Sequence, residues 1–83
     1  ELDIVNRLDL ARKISWFKKA MRELGIRESQ IIALRHLSDD PLTLEKLGEL
    51  FKISKERVRQ IENRAIKKLK SLVRKLSSKE SHI

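Results

Sequence analysis

Residues 43–70 read TLEKLGELFKISKERVRQIENRAIKKLK, and this stretch decides the fold. Thr43 and Ser54 each precede an amphipathic segment, and serine or threonine hydroxyls commonly cap the amino termini of helices. The sequence therefore predicts a short helix over about 43–51, a tight turn, and a long helix over about 54–76. Two helices that cross steeply through a short turn form a helix-turn-helix.

The residues around the turn fit this motif. Gly48 supplies the small side chain that the motif needs where the two backbones approach each other. Lys52 occupies the turn position where glycine is commonest, and the positive φ expected there would cost a lysine roughly 1 kcal/mol. The apolar residues expected to fill the wedge between the helices are Leu47, Phe51, Ile53, Val58 and Ile61.

Two further helices are predicted upstream, which gives an all-α domain of four helices. The first spans about 2–24, with one apolar face formed by Leu10, Ile14, Phe17, Met21 and Leu24. The second spans about 26–37, with Gly25 as its N-cap and Glu28 reaching back to the free backbone donors. Residues 38–41 read SDDP and predict a loop, because proline disfavours helix at the residue before it.

The domain organisation follows from these elements. Residues 1–25 form a first helix that leads into a helix-turn-helix domain at 26–76, and residues 77–83 form a polar tail expected to fray. The sequence begins with Glu1 rather than methionine, which suggests a piece of a longer protein.

The composition argues against several classes of site. The chain has 83 residues and no cysteine, so a disulfide or thiolate metal site is excluded, as suits a reducing cytoplasm. His36 and His82 are far apart without ligand-like neighbours, and Asp39 and Asp40 read as turn residues. We therefore expect no metal, no cofactor and no catalysis. No apolar run approaches the ~18 residues of a membrane span.

The charge is concentrated in the last helix. Residues 54–75 contain nine basic and two acidic residues, whereas the net charge of the whole chain is +8. One strongly basic helix in a helix-turn-helix is the electrostatic footprint of DNA binding. The amino-terminal residues of the second helix enter the major groove, where arginine recognises guanine, glutamine recognises adenine and glutamate accepts from cytosine.

The segments PLTLEKLGELF and KISKERVRQIENRAIKKLK closely resemble region four, the carboxy-terminal region of bacterial sigma factors. That family has a TLEE-like capped helix, a segment of the form S/T-R-E-R-[IV]-R-Q-I-E, and then A-[IL]-x-K-L. The resemblance covers about 24–72 well and the first helix loosely. The short loop in RHLSDDPLTLEKLG is more similar to heat-shock sigma factors than to the primary ones.

The resemblance implies a subunit that docks on RNA polymerase and reads the −35 promoter element in double-stranded DNA. Its base-reading positions would be Lys55, Glu56, Arg59 and Gln60. Lys55 departs from the arginine common in primary sigma factors, and lysine cannot fork onto guanine. By resemblance and by position near helix ends, the phosphate-contacting residues would be Arg35, Thr43, Leu44, Glu45, Ser54, Arg57, Arg64, Lys67 and Lys68.

The resemblance also implies a protein-docking face. The flap of the polymerase β subunit would enter an apolar pocket between the first two helices, lined or supported by Leu10, Ile14, Phe17, Ile31 and Leu34. The same surfaces would suit an anti-sigma factor or an activator. Trp16 is expected to pack in the core, and His36 is expected to lie at the loop edge without a role.

Two other readings remain open at this level. The effector domain of a response regulator has a similar four-helix outline, but it would dimerise on a palindromic site. The basic amphipathic stretch 61–76 would also suit a membrane-surface or protein-docking helix, although such a helix does not require Gly48, Ile53 and Val58 in register. Arg59 and Gln60 would then be ordinary solvated surface.

Overall fold

The computed structural model describes the backbone of residues 2–80 and the side chains of residues 10–78, which form four helices. These are α1 (Leu2–Glu23), α2 (Ile26–His36), α3 (Leu44–Phe51) and α4 (Lys55–Glu80). The predicted all-α class and the order of the four helices are confirmed. None of the helices within residues 2–80 is long and apolar enough to cross a membrane.

The predicted end of the last helix is wrong. Helix α4 continues to Glu80, four residues beyond the apolar Leu76 at which the sequence pattern stops. The stretch 77–80 contains no glycine or proline to end the helix, and Ser77 is half-buried on it. The first part of the predicted polar tail is therefore helical. Residues 81–83, which include His82, lie outside the described residues.

Helix α4 is the centre of the fold, because α1, α2 and α3 each pack against it. The core consists of two clusters along its apolar stripe. The first cluster joins α1, α2 and the middle of α4, and its buried members are Ala20, Leu24, Ile32, Ala65 and Leu69. The second cluster lies under the helix-turn-helix, and its buried members are Ile31, Leu47, Val58 and Ile61. Trp16 is also buried, as predicted.

The short second helix links the two clusters through adjacent residues. Ile32 belongs to the first cluster and Ile31 to the second, and both are almost completely buried. Burying such a side chain stabilises the fold by roughly 1.5–3 kcal/mol relative to leaving it exposed. Helix α2 is therefore held against α4 by both core clusters.

The turn of the helix-turn-helix has the geometry expected from its sequence. Lys52 adopts the left-handed conformation, with φ 57° and ψ 45°. The N–H of Ile53 donates to the carbonyl of Gly48 at 2.9 Å, so the chain after the turn lies directly on the glycine. A Cβ atom on Gly48 would come within 2.7 Å of the Ile53 carbonyl oxygen, which explains the need for glycine there.

The predicted caps are also confirmed. The Thr43 hydroxyl oxygen accepts from the backbone N–H of Lys46 at 3.1 Å, and the Ser54 hydroxyl oxygen accepts from the N–H of Arg57 at 3.0 Å. These bonds satisfy donors that a helix start otherwise leaves free. They fix where α3 and α4 begin, and hence where their positive dipole ends point.

Candidate nucleic-acid interface

The first turns of α4 present all four predicted base-reading side chains to solvent. Lys55, Glu56, Arg59 and Gln60 are exposed, whereas Val58 between them is completely buried. The buried face fixes the rotation of α4, so the exposed face at its amino end has one orientation relative to the core. A rigid helix with exposed polar side chains near its start is the arrangement that enters a major groove.

Two of these side chains are already paired with each other. Arg59 Nε donates to Glu56 Oε1 at 3.0 Å, and Arg59 Nη2 donates to Glu56 Oε2 at 2.5 Å. The hydrogen bonds from Arg59 lower the pKa of the Glu56 carboxyl, and the same carboxylate raises the pKa of the Arg59 guanidinium. Both groups therefore stay charged at neutral pH, and the pair orients the guanidinium fork along the exposed face.

Gln60 is oriented by a neighbour in a similar way. Arg57 Nη1 lies 3.4 Å from Gln60 Oε1, a long hydrogen bond in which the amide oxygen accepts. Besides the larger effect of Arg59, a side-chain hydrogen bond from Gln60 lowers the pKa of the Glu56 carboxyl, so the amide nitrogen of Gln60 donates to Glu56. Reading an adenine requires both atoms of the amide, so Arg57 would have to release Gln60 or contact the backbone beside it.

The amino termini of α3 and α4 lie next to each other. Lys55 Nζ at the start of α4 is 3.7 Å from Glu45 Oε1 in the first turn of α3. Thr43 and Ser54 use their hydroxyl oxygens as caps but keep their hydroxyl hydrogens as donors. The interface thus combines two helix starts, whose backbone N–H groups and dipoles favour anions such as phosphate.

The basic residues further along α4 divide into two groups. Arg64 and Lys67 are exposed and, with Gln60 and Asn63, line a shallow depression on the same side as the base-reading turn. Asn63 was not among the predicted site residues, although its spacing from Lys67 places it on that face. Lys68 lies elsewhere, because its Nζ donates to Glu28 Oε1 of α2 at 3.1 Å.

Arg35 is directed into the protein rather than away from it. Its Nε donates to Glu62 Oε2 at 2.6 Å, and its Nη1 donates to the carbonyl of Leu42 at 3.1 Å. His36 is the last residue of α2, at the loop edge as predicted, and its Nε2 lies 2.7 Å from the same Glu62 oxygen, a contact that the sequence did not predict. Glu62 was counted in the sequence only as an opposing charge, yet it is buried.

The predicted flap-binding residues do not form one surface. Leu10 and Ile14 on α1 are 57% and 45% exposed, and Phe17 is half-buried against the first cluster. Ile31 is completely buried in the second cluster, so it supports the fold and lines no groove, and Leu34 packs beside it. Ile14 and Phe17 instead line an apolar groove between α1 and α4, because α1 packs on α4. Its lining residues are Lys13, Ile14, Trp16, Phe17, Ile66, Leu69, Lys70, Val73, Arg74 and Ser77.

Comparison with known proteins agrees with this geometry. Residues 20–71 match the family described as sigma-70, region 4. The chain is 43% identical over 75 residues to the RNA polymerase sigma factor RpoH of Rhizobium radiobacter, covering 90% of this chain and 25% of that protein. It is 48% identical over 62 residues to RpoH of Caulobacter vibrioides, covering 75% of this chain and 21% of that protein.

A more distant relative is the sigma factor SigA of Lactococcus lactis, which is 39% identical over 71 residues, covering 83% of this chain and 19% of that protein. The chain thus spans about a quarter or less of the length of these relatives. The family match covers the end of α1, all of α2 and α3, the turn and α4 as far as residue 71, and so includes the elements that build the interface. This chain belongs to the sigma-70 region 4 family.

Proposed function

We propose that this chain is the promoter-recognition module of a heat-shock-type sigma factor and reads the −35 element. The observation that carries the proposal is the exposed, basic amino-terminal half of α4 beside the start of α3, within a region 4 fold. The similarity to relatives named RpoH and the short loop before α3 in this chain both support the heat-shock type. Such a module works on the chromosome in the cytoplasm, at the nucleoid, and needs no cofactor and no catalysis.

DNA binding would divide between the two helix starts and the face of α4. The backbone and caps at Thr43, Leu44 and Ser54 would hold phosphates, and Arg64 and Lys67 would follow the backbone further along the groove. Arg59 and Gln60 would read base edges, each good contact contributing roughly 1–3 kcal/mol of discrimination. If about five phosphates are neutralised, the logarithm of the affinity should fall with the logarithm of salt at a slope near −4.5.

The protein partner in this proposal is the polymerase core, through the flap of its β subunit. The groove between α1 and α4 is the surface that supports this assignment, since Ile14 and Phe17 offer apolar area there while Lys13, Lys70 and Arg74 surround it. An exposed apolar strip on a small domain commonly marks a docking surface. An anti-sigma factor or an activator would compete for the same face.

The experiment is selection of bound sequences from a random duplex pool by the 83-residue chain fused to a β-flap segment. We expect one asymmetric, −35-like element to be enriched. The variant Arg59→Ala should lose discrimination among sequences, whereas Lys67→Ala should weaken binding to all sequences by the same factor. A palindromic site protected by a dimer would instead favour the effector domain of another regulator, and no enrichment with binding to lipid vesicles would favour a membrane-surface helix.

A further inference from the structure

Glu62 is the one charged side chain that is buried among residues 10–78. Its Oε2 accepts a hydrogen bond from Arg35 Nε at 2.6 Å, and His36 Nε2 lies 2.7 Å from the same oxygen. An ionised carboxylate only accepts, so this contact is a hydrogen bond when the imidazole carries a proton on Nε2. Removing a carboxylate from water is costly unless it is paired, so the two partners on α2 are needed to keep Glu62 in this position.

Arg35 extends this link to the start of α3. Its Nη1 donates to the carbonyl of Leu42 at 3.1 Å, and the N–H of Leu42 donates to the carbonyl of Leu34 at 3.2 Å. Leu42 immediately precedes Thr43, the N-cap of α3. A continuous series of bonds therefore runs from α4 through one guanidinium to the residue before the helix start that would hold phosphate.

The other end of the series lies beside the base-reading side chains. Glu62 follows Arg59 by three residues and Gln60 by two, on one rigid helix. A hydrogen bond to a base edge tolerates only a few tenths of an ångström in length. A phosphate contact is less demanding, because the attraction between charges falls slowly with distance.

We propose that Glu62 is a positioning residue for sequence recognition. Through Arg35 it holds the start of α3 at a fixed distance from the base-reading turn of α4. When the start of α3 binds a phosphate, the base-reading turn of α4 is thereby placed in register with the bases. This inference rests on the proposed function. It also assigns Arg35 to positioning rather than to direct phosphate contact.

The test uses the 83-residue chain and two duplexes, the selected element and a scrambled sequence, with affinities measured over a range of salt. Glu62→Gln keeps the shape of the side chain and removes its charge. Arg35→Lys keeps the net charge of +8 and can still contact phosphate, but a lysine cannot bond the carboxylate and the carbonyl together in a plane. Arg12→Lys, an exposed position on α1, is the matched control.

We expect both Glu62→Gln and Arg35→Lys to lower the ratio of selected to scrambled affinity by roughly five- to 150-fold, the factor that one base contact carries. The double variant should be no worse than the poorer single variant, because both changes break one link. The salt slope should be unchanged in Arg35→Lys, and Arg12→Lys should match the native chain.

A purely structural role predicts a different result. Partial unfolding reduces the apparent affinity for both duplexes by the same factor and leaves their ratio unchanged. An unchanged ratio in Arg35→Lys, the variant that leaves Glu62 paired with His36, would overturn the inference even if Glu62→Gln does not fold. If the native chain itself does not prefer the selected element, the proposed function fails as well, whereas native preference with unchanged variants refutes the positioning role alone.

Discussion

Replacing Lys52 by glycine should stabilise the protein, although it removes a side chain. Lys52 is in the left-handed region, with φ 57° and ψ 45°, and its exposed side chain packs in neither core cluster. Holding an ordinary residue there costs roughly 1–2 kcal/mol. Glycine escapes this cost but loses roughly 0.5–1 kcal/mol more backbone entropy on folding than alanine does.

The comparison that isolates the strain is Lys52→Gly against Lys52→Ala, since both variants lose the same charge. Subtracting the midpoint of the entropy cost from the midpoint of the strain leaves Lys52→Gly more stable than Lys52→Ala by about 0.75 kcal/mol. A change of 1 kcal/mol shifts Tm by about 4–8 °C in a domain of this size. Thermal and urea unfolding, followed by helical circular dichroism, would resolve it.

The matched pair is Lys18→Gly against Lys18→Ala, because Lys18 is exposed in the interior of α1. There the order should reverse, and the glycine variant should be less stable by about 1 kcal/mol. The glycine variant should therefore be more stable than the alanine variant at position 52 and less stable at position 18. If Lys52→Gly is no more stable than Lys52→Ala, the turn stores no strain, and the account of its conformation is refuted.

Three other outcomes follow from the structure. Gly48→Ala should lower the free energy of unfolding in urea by roughly 1–3 kcal/mol, because the new Cβ meets the Ile53 carbonyl, and unchanged stability would contradict that contact. The hydrogen bond from the backbone N–H of Gly25, together with Lys68, lowers the pKa of Glu28 from its ordinary value of 4.5. The ionised Glu28 therefore stabilises the fold above pH 4.5, and this stability should be lost as the pH falls through the pKa of the folded state. Thermal melts of Glu28→Gln over this pH range should show a smaller dependence of Tm on pH than the native chain, and an unaltered dependence would contradict the role of Glu28. Lys67→Ala should reduce the salt slope of DNA binding by about 0.9, whereas Lys68→Ala should leave it unchanged and lower stability by up to about 1 kcal/mol; equal slopes for both would remove the distinction.

The helix-turn-helix was predictable because its determinants are local. The hydroxyl caps at Thr43 and Ser54 act on N–H groups three residues away, and Lys52 adopts its φ because of the turn it occupies. Gly48 is in contact with the chain only five residues further on. The period of the apolar residues then determines which face of α4 is buried, and hence which side chains are exposed.

The ion pairs between helices could not be predicted in this way. The partners of Glu62 are Arg35 and His36, which precede it by 27 and 26 positions in the sequence. The partner of Lys68 is Glu28, which precedes it by 40 positions. Such pairs depend on how α2 lies across α4, which the period of one helix does not determine. One signal was present, since Glu62 follows Val58 by four residues and precedes Leu69 by seven, which places a carboxylate on the apolar stripe.

The central position of α4 makes stability and DNA recognition depend on the same helix. The second core cluster supports the turns that carry Arg59 and Gln60, while the first cluster supports the stretch beyond them against α1. A change in the first cluster reaches the base-reading turn only along α4 or through α2, whose Ile31 and Ile32 belong to different clusters. Helix α2 also provides the two hydrogen-bond partners of Glu62, which lies on α4 three residues beyond Arg59. Helix α2 therefore contacts both core clusters and the buried carboxylate of α4, although it presents no predicted base contact of its own.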